Sequence, residues 1–255
     1  MIILFGNKKG GCTKSITLVN TAGVAVNAGY KVCIVDADTN ETLNRYIRRR
    51  EATSEKRTND GLEPLPYIKV EIRRPEDSLI RDLRELDNLY DYVFVDTGGY
   101  ENKAFVSSVG AADVVYMPFQ ASQADIEQVI PTLKVLSDTE NSMHMIDNLD
   151  FEIDCRLLVS NVDHHSKDML GQAREACKSL LHQASISSCV IAHTKEVRKI
   201  QDSGVTLSDK VFTGGRAHPK RAMYEMLFDE IRGTRKVMHK RNQPVSEESE
   251  SLKTA

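Results

Sequence analysis

The stretch that decides the fold is the first one, Met1–Thr17, MIILFGNKKGGCTKSIT. Ile2–Phe5 is apolar and reads as a buried strand. A glycine-containing loop follows, then Lys14-Ser15, then a helix-like segment, Ser15–Ala28, that ends near Gly29. Strand, loop, Lys-Ser and helix make a phosphate cradle, because backbone N–H groups and the helix N-terminus face the anion. In that cradle Lys14 is expected to neutralise β- and γ-phosphates and the Ser15 hydroxyl to bind Mg²⁺. The strict pattern G-x-x-x-x-G-K-[ST] is not met: Lys8 and Thr13 stand where it needs glycine.

Working outward, further short apolar runs rich in β-branched residues are expected as strands: Val32–Val35, Ile68–Ile72, Tyr92–Val95, Val114–Met117, Arg156–Val159 and Ser188–Ile191. Helix-like segments separate them. Asp77–Leu89 carries Leu79, Leu83 and Leu86 on one stripe, and Ser122–Leu136 opens on a candidate N-cap, Ser122, with Asp125 three residues on. Ser166–Gln183 and Pro219–Met238 complete the set. Alternation of strand and helix predicts a doubly wound α/β fold with a mostly parallel sheet, and the phosphate cradle at its start points to the P-loop NTPase type. Ala52–Pro66, polar and holding Gly61, Pro64 and Pro66, is expected as an exposed loop. One domain, 1–241, is expected, followed by a disordered polar and acidic tail, 242–255.

Acidic residues close two of these runs. Val32–Val35 leads into Asp36-Ala37-Asp38, and Tyr92–Val95 into Asp96-Thr97-Gly98-Gly99. Ligands of open α/β sheets collect at the carboxyl ends of strands, which places Asp36, Asp38 and Asp96 beside the phosphate loop. An apolar run ending in Asp96 matches a Walker B strand, whose carboxylate joins the Mg²⁺ shell through water. His164-His165 with Asp163 lacks a further spaced ligand, and neither a G-x-S-x-G elbow nor a recognisable Cys–His pair is present.

The chain has 255 residues, 40% hydrophobic and 28% charged, with 34 Lys/Arg against 37 Asp/Glu, a net charge of −3. No run reaches the roughly 18 apolar residues of a membrane helix, and Met1 leads directly into a strand, so no signal peptide is expected. The five cysteines form no C-x-x-C pair and are expected to be buried reduced thiols of a cytoplasmic protein. The charge is uneven: Lys195–Arg241 holds twelve Lys/Arg against six Asp/Glu, and Arg45–Arg57 six against two. Such basic patches suggest a polyanion contact.

The run Lys9-Gly10-Gly11-Cys12-Thr13-Lys14-Ser15 resembles the deviant Walker A box K-G-G-x-G-K-[ST] of the ParA/MinD family of ATPases. The resemblance implies that ATP and Mg²⁺ are bound by Lys9, Gly10, Gly11, Cys12, Thr13, Lys14, Ser15 and Ile16. It also implies that Lys9 reaches across an ATP-held homodimer to the partner's nucleotide. Asp36-Ala37-Asp38 resembles the family's second acidic box, which gives Asp36 the Mg²⁺/Ser15 shell and Asp38 the attacking water. Lys9, Lys14 and Asp38 are thus the catalytic candidates, and Ser15, Asp36 and Asp96 the metal set. Met117–Asp125 resembles the turn after the family's fifth strand. Leu158-Val159-Ser160-Asn161 resembles the strand whose Asn recognises adenine. Thr13 replaces the glycine before the key lysine and Ile16 the second hydroxyl, departures that point to weaker nucleotide affinity or slow turnover.

The function implied is that of a small ParA-like partition ATPase: cytoplasmic and nucleoid-associated, dimeric with ATP, and binding DNA without sequence preference. Its hydrolysis would be stimulated by an adaptor bound at a centromere-like site. Lys195, Arg198, Lys199, Lys220 and Arg221 are the DNA-contact candidates. No N-terminal helix-turn-helix extension is seen, so specific operator binding is not expected. Two alternatives share the nucleotide motifs: an ATPase assisting conjugative transfer or a secretion machine, and a MinD-like membrane-surface ATPase. The second needs a C-terminal amphipathic helix, whereas Thr234–Arg241 carries only two apolar residues and Ser246–Ser251 is acidic, so no membrane contact is expected.

Overall fold

The computed structural model describes residues 1–7, 13–98, 102–120, 122–145, 148, 150–162, 171, 173, 175 and 177–242. β1 (Ile2–Phe5), β2 (Val32–Ala37), β3 (Lys69–Ile72), β4 (Tyr92–Thr97), β5 (Val114–Phe119), β6 (Cys155–Val162) and β7 (Ser185–Ala192) form one sheet. The order is β3-β2-β4-β1-β5-β6-β7 and every pairing is parallel. A parallel sheet must be covered on both faces, and β1 shows how. Ile2 and Leu4 join one core with Val93, Val95, Phe105 and Val129; Ile3 and Phe5 join the opposite core with Leu18, Val19, Phe94 and Leu227.

The first core is closed by α3 (Ile80–Asp87), α4 (Lys103–Val109) and α5 (Gln123–Met145). The second is closed by α1 (Lys14–Asn27), α2 (Thr42–Asn59), α6 (Lys195–Gln201) and α7 (Ala222–Ile231). The helices after β1 and β4 therefore leave to opposite faces of neighbouring strands. This arrangement opens a crevice at the strands' carboxyl ends.

The seven predicted strands are all present, four of them ending two or three residues later than the apolar runs. Asp36 and Asp96 are consequently inside β2 and β4, register partners of each other, rather than in the turns that follow. The Leu79 and Leu83 stripe is buried. Ser122 caps α5, its Oγ accepting the Asp125 N–H at 3.2 Å.

Two expectations are corrected. Ala52–Pro66 is not a loop throughout, because α2 runs on to Asn59. Leu43, Asn44, Tyr46, Ile47 and Arg50 give it a buried stripe at helical spacing, and Lys56 and Arg57 suit its carboxyl end. It stops just before Gly61, whose φ is +72°. Pro219–Met238 is not one helix: Pro219–Arg221 is a 3₁₀ turn and α7 ends at Ile231, before Gly233. The chain then crosses back to β7, where the Ile186 N–H donates to the His239 carbonyl at 2.8 Å. Of the expected helix Ser166–Gln183, residues 166–170 lie outside the described residues, and 171, 173, 175, 177 and 178 are helical.

A buried polar network ties α1 and α2 to the segment before the 3₁₀ turn. Arg50 Nη1 and Nη2 grip the two Asp209 oxygens at 2.6 and 2.8 Å. Asn27 Nδ2 and the Thr206 N–H donate to the same carboxylate. Cys33, Cys155, Cys177 and Cys189 are buried free thiols, as expected, and burial raises each above its ordinary value. Cys12 lies outside the described residues.

Candidate functional site

Past β1 the described chain resumes at Thr13, which holds φ 64° and ψ 15° immediately before the first turn of α1. This left-handed backbone is one that glycine adopts without cost and a β-branched side chain resists, by about 1–2 kcal/mol. Thr13 therefore holds a backbone conformation suited to glycine and carries strain at the mouth of the helix. Thr13→Gly removes that strain and the side chain together. It is expected to raise steady-state phosphate release severalfold; a rate no higher than wild type would acquit Thr13.

Lys14 opens α1 and is only 8% exposed. Beside it the Ser15 hydroxyl donates to Asp96 Oδ2. Asp96 is fully buried, and its Oδ1 has no hydrogen-bond partner among the described residues. Burial lifts its carboxyl to about 7, against the pull of the Ser15 hydrogen bond and the Lys14 charge. Asp36, its neighbour across the sheet, is also fully buried and raised by burial. Its Oδ2 accepts the Asn44 N–H at 2.9 Å and its Oδ1 the Asp38 N–H at 3.3 Å, so Asp36 anchors the first turn of α2. An orphaned carboxylate oxygen against a hydroxyl is a hard-oxygen donor pair of the kind Mg²⁺ takes. Among the described residues no three His, Cys, Asp or Glu side chains group as metal ligands. A cation here would need phosphate and water oxygens to complete its shell, the usual habit of Mg²⁺.

Asp38 stands at the cleft edge. Its Oδ1 accepts the Asn40 N–H at 2.9 Å and Asn40 Nδ2 at 3.0 Å, closing a local turn. Gly98 presses against it: a Cβ there would meet the Asp38 carboxyl carbon at 3.0 Å. A side chain at 98 would push this carboxylate aside by a few tenths of an ångström.

These elements enclose a cleft of about 480 Å³ lined by Thr13, Lys14, Ser15, Ile16, Asp38 and Asn161, among others. That size falls in the ordinary range of small-ligand sites. Asn161 is the extra residue of a β-bulge: Ser160 pairs with Ile191 and Val162 with Ala192, and Asn161 takes φ 57°. The structure thus gathers eight of the sequence's candidates, those six with Asp96 behind Ser15 and Asp36 beside Asp96 in the sheet. Lys9, Gly10, Gly11 and Cys12 lie outside the described residues.

The basic candidates divide. Lys195 and Lys199 are exposed on α6; the Arg198 side chain lies outside the described residues. Lys220 is paired with Glu196 and Arg221 with Glu225, each at 2.8 Å. Arg216 and Lys210, which sequence reasoning passed over, are exposed, and Arg216 lines one groove with Lys199 and another with Lys210. Tyr46 and His193 also line the cleft. Only the polar His193-Thr194 after an apolar strand hinted at the second.

The profile of the MipZ ATPase family matches residues 1–140, more than half the chain, across the phosphate loop, β2 and β4. The chain belongs to the MipZ ATPase family. This places it among the deviant Walker A ATPases of the ParA/MinD group. No curated protein matches. Solved structures share the fold. McdA from Cyanothece, as an ATP complex, aligns with TM-score 0.62 at 14% identity over 93% of this chain and 98% of its own. A plasmid partition protein of Borrelia burgdorferi B31 bound to AMPPNP gives 0.60 at 14% over 92% and 99%. Cobyrinic acid a,c-diamide synthase of Mycobacterium smegmatis with ADP and magnesium gives 0.61 at 16% over 95% and 99%. At such identities the likeness speaks for the fold, which serves a plasmid partition protein and a synthase alike. Among the described residues no helix is long and apolar enough to cross a membrane.

Proposed function

We propose that this MipZ-family chain is a Mg·ATP-dependent, dimerising partition ATPase that holds DNA without sequence preference in its ATP state. The observation that carries the nucleotide reading is the buried Asp96, one oxygen orphaned and the other bonded to Ser15, which lines a cleft with Thr13 and Lys14. The similarity to proteins solved with ATP, AMPPNP and ADP with magnesium supports the same ligand here.

Lys14 would bind the β- and γ-phosphates and Ser15 the Mg²⁺, with Asp96 and Asp36 behind it. The ion would supply charge neutralisation at the transferred phosphoryl group. Asp38 would orient the attacking water through Oδ2, since the Asn40 turn occupies only its Oδ1. Lys9 would supply the cross-subunit charge of the ATP dimer. An adaptor at a centromere-like site would speed hydrolysis and release DNA. The same machinery could serve a conjugation or secretion apparatus, and DNA binding separates that use.

The DNA-facing surface would centre on α6 and the Phe212–Arg216 turn. Lys195, Lys199, Lys210 and Arg216 are exposed and make no ion pair among the described residues, whereas Lys220 and Arg221 already have acidic partners. ATP-bound protein should bind unrelated duplexes equally, with affinity falling steeply as salt rises. Lys199→Ala with Arg216→Ala should weaken all duplexes alike and flatten the salt slope by about one for each phosphate that is no longer neutralised. Marked preference for one sequence, or binding to liposomes and not to DNA, would overturn the partition reading.

A further inference from the structure

The bulge at Asn161 turns this residue out of the β6 ladder and into the wall of the cleft, where its amide meets the His193 ring. Asn161 Oδ1 lies 2.8 Å from His193 Nδ1, and both residues line the cleft. Their backbones are fixed together as well, because the His193 N–H donates to the Val162 carbonyl at 2.9 Å. An amide oxygen can only accept, so Nδ1 carries the proton of this bond. With Nδ1 protonated, the contact fixes which way the amide faces. With Oδ1 held by His193, Nδ2 remains a donor and Oδ1 keeps a second lone pair.

That pattern reads one purine edge. Adenine presents N7 as an acceptor beside N6 as a donor, which an Asn amide matches with two hydrogen bonds. Guanine presents N7 and O6, both acceptors, so the amide can satisfy one and turns its own oxygen on the other. An amide free to turn would lose this distinction. We propose that His193 is a positioning residue that makes the cleft select adenine over guanine by locking the Asn161 amide. The inference rests on the nucleotide reading of the cleft, and adds to it the residue that sets base choice.

The test is calorimetric titration of the full chain with Mg·ATP and Mg·GTP, for wild type, His193→Ala and His193→Asn. Wild type should prefer ATP at least about tenfold. His193→Ala should lose about fivefold or more of that preference, while affinity for inorganic tripolyphosphate stays unchanged because no base is involved. His193→Asn, whose Nδ2 sits near the place of Nδ1, should recover the preference to within about threefold of wild type. A purely structural role for His193 would move ATP, GTP and tripolyphosphate together and so overturn the proposal. Equal ATP and GTP affinity in the wild type, or an undiminished preference in His193→Ala, would overturn the proposal while leaving nucleotide binding intact. Absence of binding to either nucleotide would overturn the reading of the cleft and the proposal with it. A measurement on the unmodified protein guards against a variant that does not fold: the imidazole ¹⁵N spectrum should show His193 protonated at Nδ1, and a bare Nδ1 would overturn the assignment.

Discussion

Lys14→Ala is expected to lower Mg·ATP affinity about a hundredfold. Lys14 is the first residue of α1, is 8% exposed, and lines the cleft beside Asp96. Charge-assisted hydrogen bonds in such a site contribute about 1.5–3 kcal/mol each, and the ammonium contacts more than one phosphate oxygen in the proposed complex. Its removal also takes away one of the two influences that hold the Asp96 carboxyl down, so the metal position becomes harder to ionise. Calorimetry measures the affinity, and a melting curve confirms that the fold survives. Affinity within about threefold of wild type would remove Lys14 from the site.

Asp209→Asn is expected to cost about 3–5 kcal/mol of stability at pH 7 without touching the cleft. The Arg50 and Asp209 side chains are 3% and 0% exposed and joined by two hydrogen bonds. Asparagine would leave a buried guanidinium without its counter-charge and aim an amide at it. Burial alone would raise the Asp209 carboxyl, but Arg50, Asn27 and the Thr206 N–H overcome it and hold the group below its ordinary value. A carboxyl depressed in the folded state contributes stability that is full above the unfolded value, about 4, and is lost as pH falls through the folded one. Urea titrations should therefore show the difference between wild type and variant at neutral pH and its narrowing below about pH 4. A difference under about 1 kcal/mol at pH 7 would mean that the pair is not what joins α1, α2 and the segment around Asp209.

The sequence carried the sheet and the mouth of the site because both are written in contiguous residues. Buried parallel strands leave apolar runs, and a strand–loop–Lys-Ser–helix succession leaves little freedom in what it builds. The strain at Thr13 was foreseeable too, since a glycine pattern names the position where the backbone must turn left-handed. What stayed hidden depends on partners far apart in the chain. The outer part of α2 is polar, so its composition resembles a loop, and its buried stripe makes sense only against Leu65, Ile68 and Val205. Lys220 meets Glu196 across 24 residues, and a basic count cannot show that the charge is already answered. The bond between Asn161 and His193 spans 32 residues and two strands. Asp36 and Asp96 read in the sequence as acids at strand ends; that they are register partners inside the sheet, and fully buried, emerges only from the fold.

That burial supplies the most direct test of the central claim, that Asp96 waits for a cation brought by a nucleotide. A carboxyl raised by burial to about 7 costs the ligand-free protein stability that builds as pH climbs from about 4 to about 7 and is fully lost above it. Titration of ATP into wild type and Asp96→Asn at pH 8, with and without Mg²⁺, reads whether the cation answers that carboxylate. Mg²⁺ is expected to strengthen ATP binding to the wild type at least about tenfold and to Asp96→Asn by less than about threefold. Equal Mg²⁺ dependence in the two proteins, or none in the wild type, would contradict it.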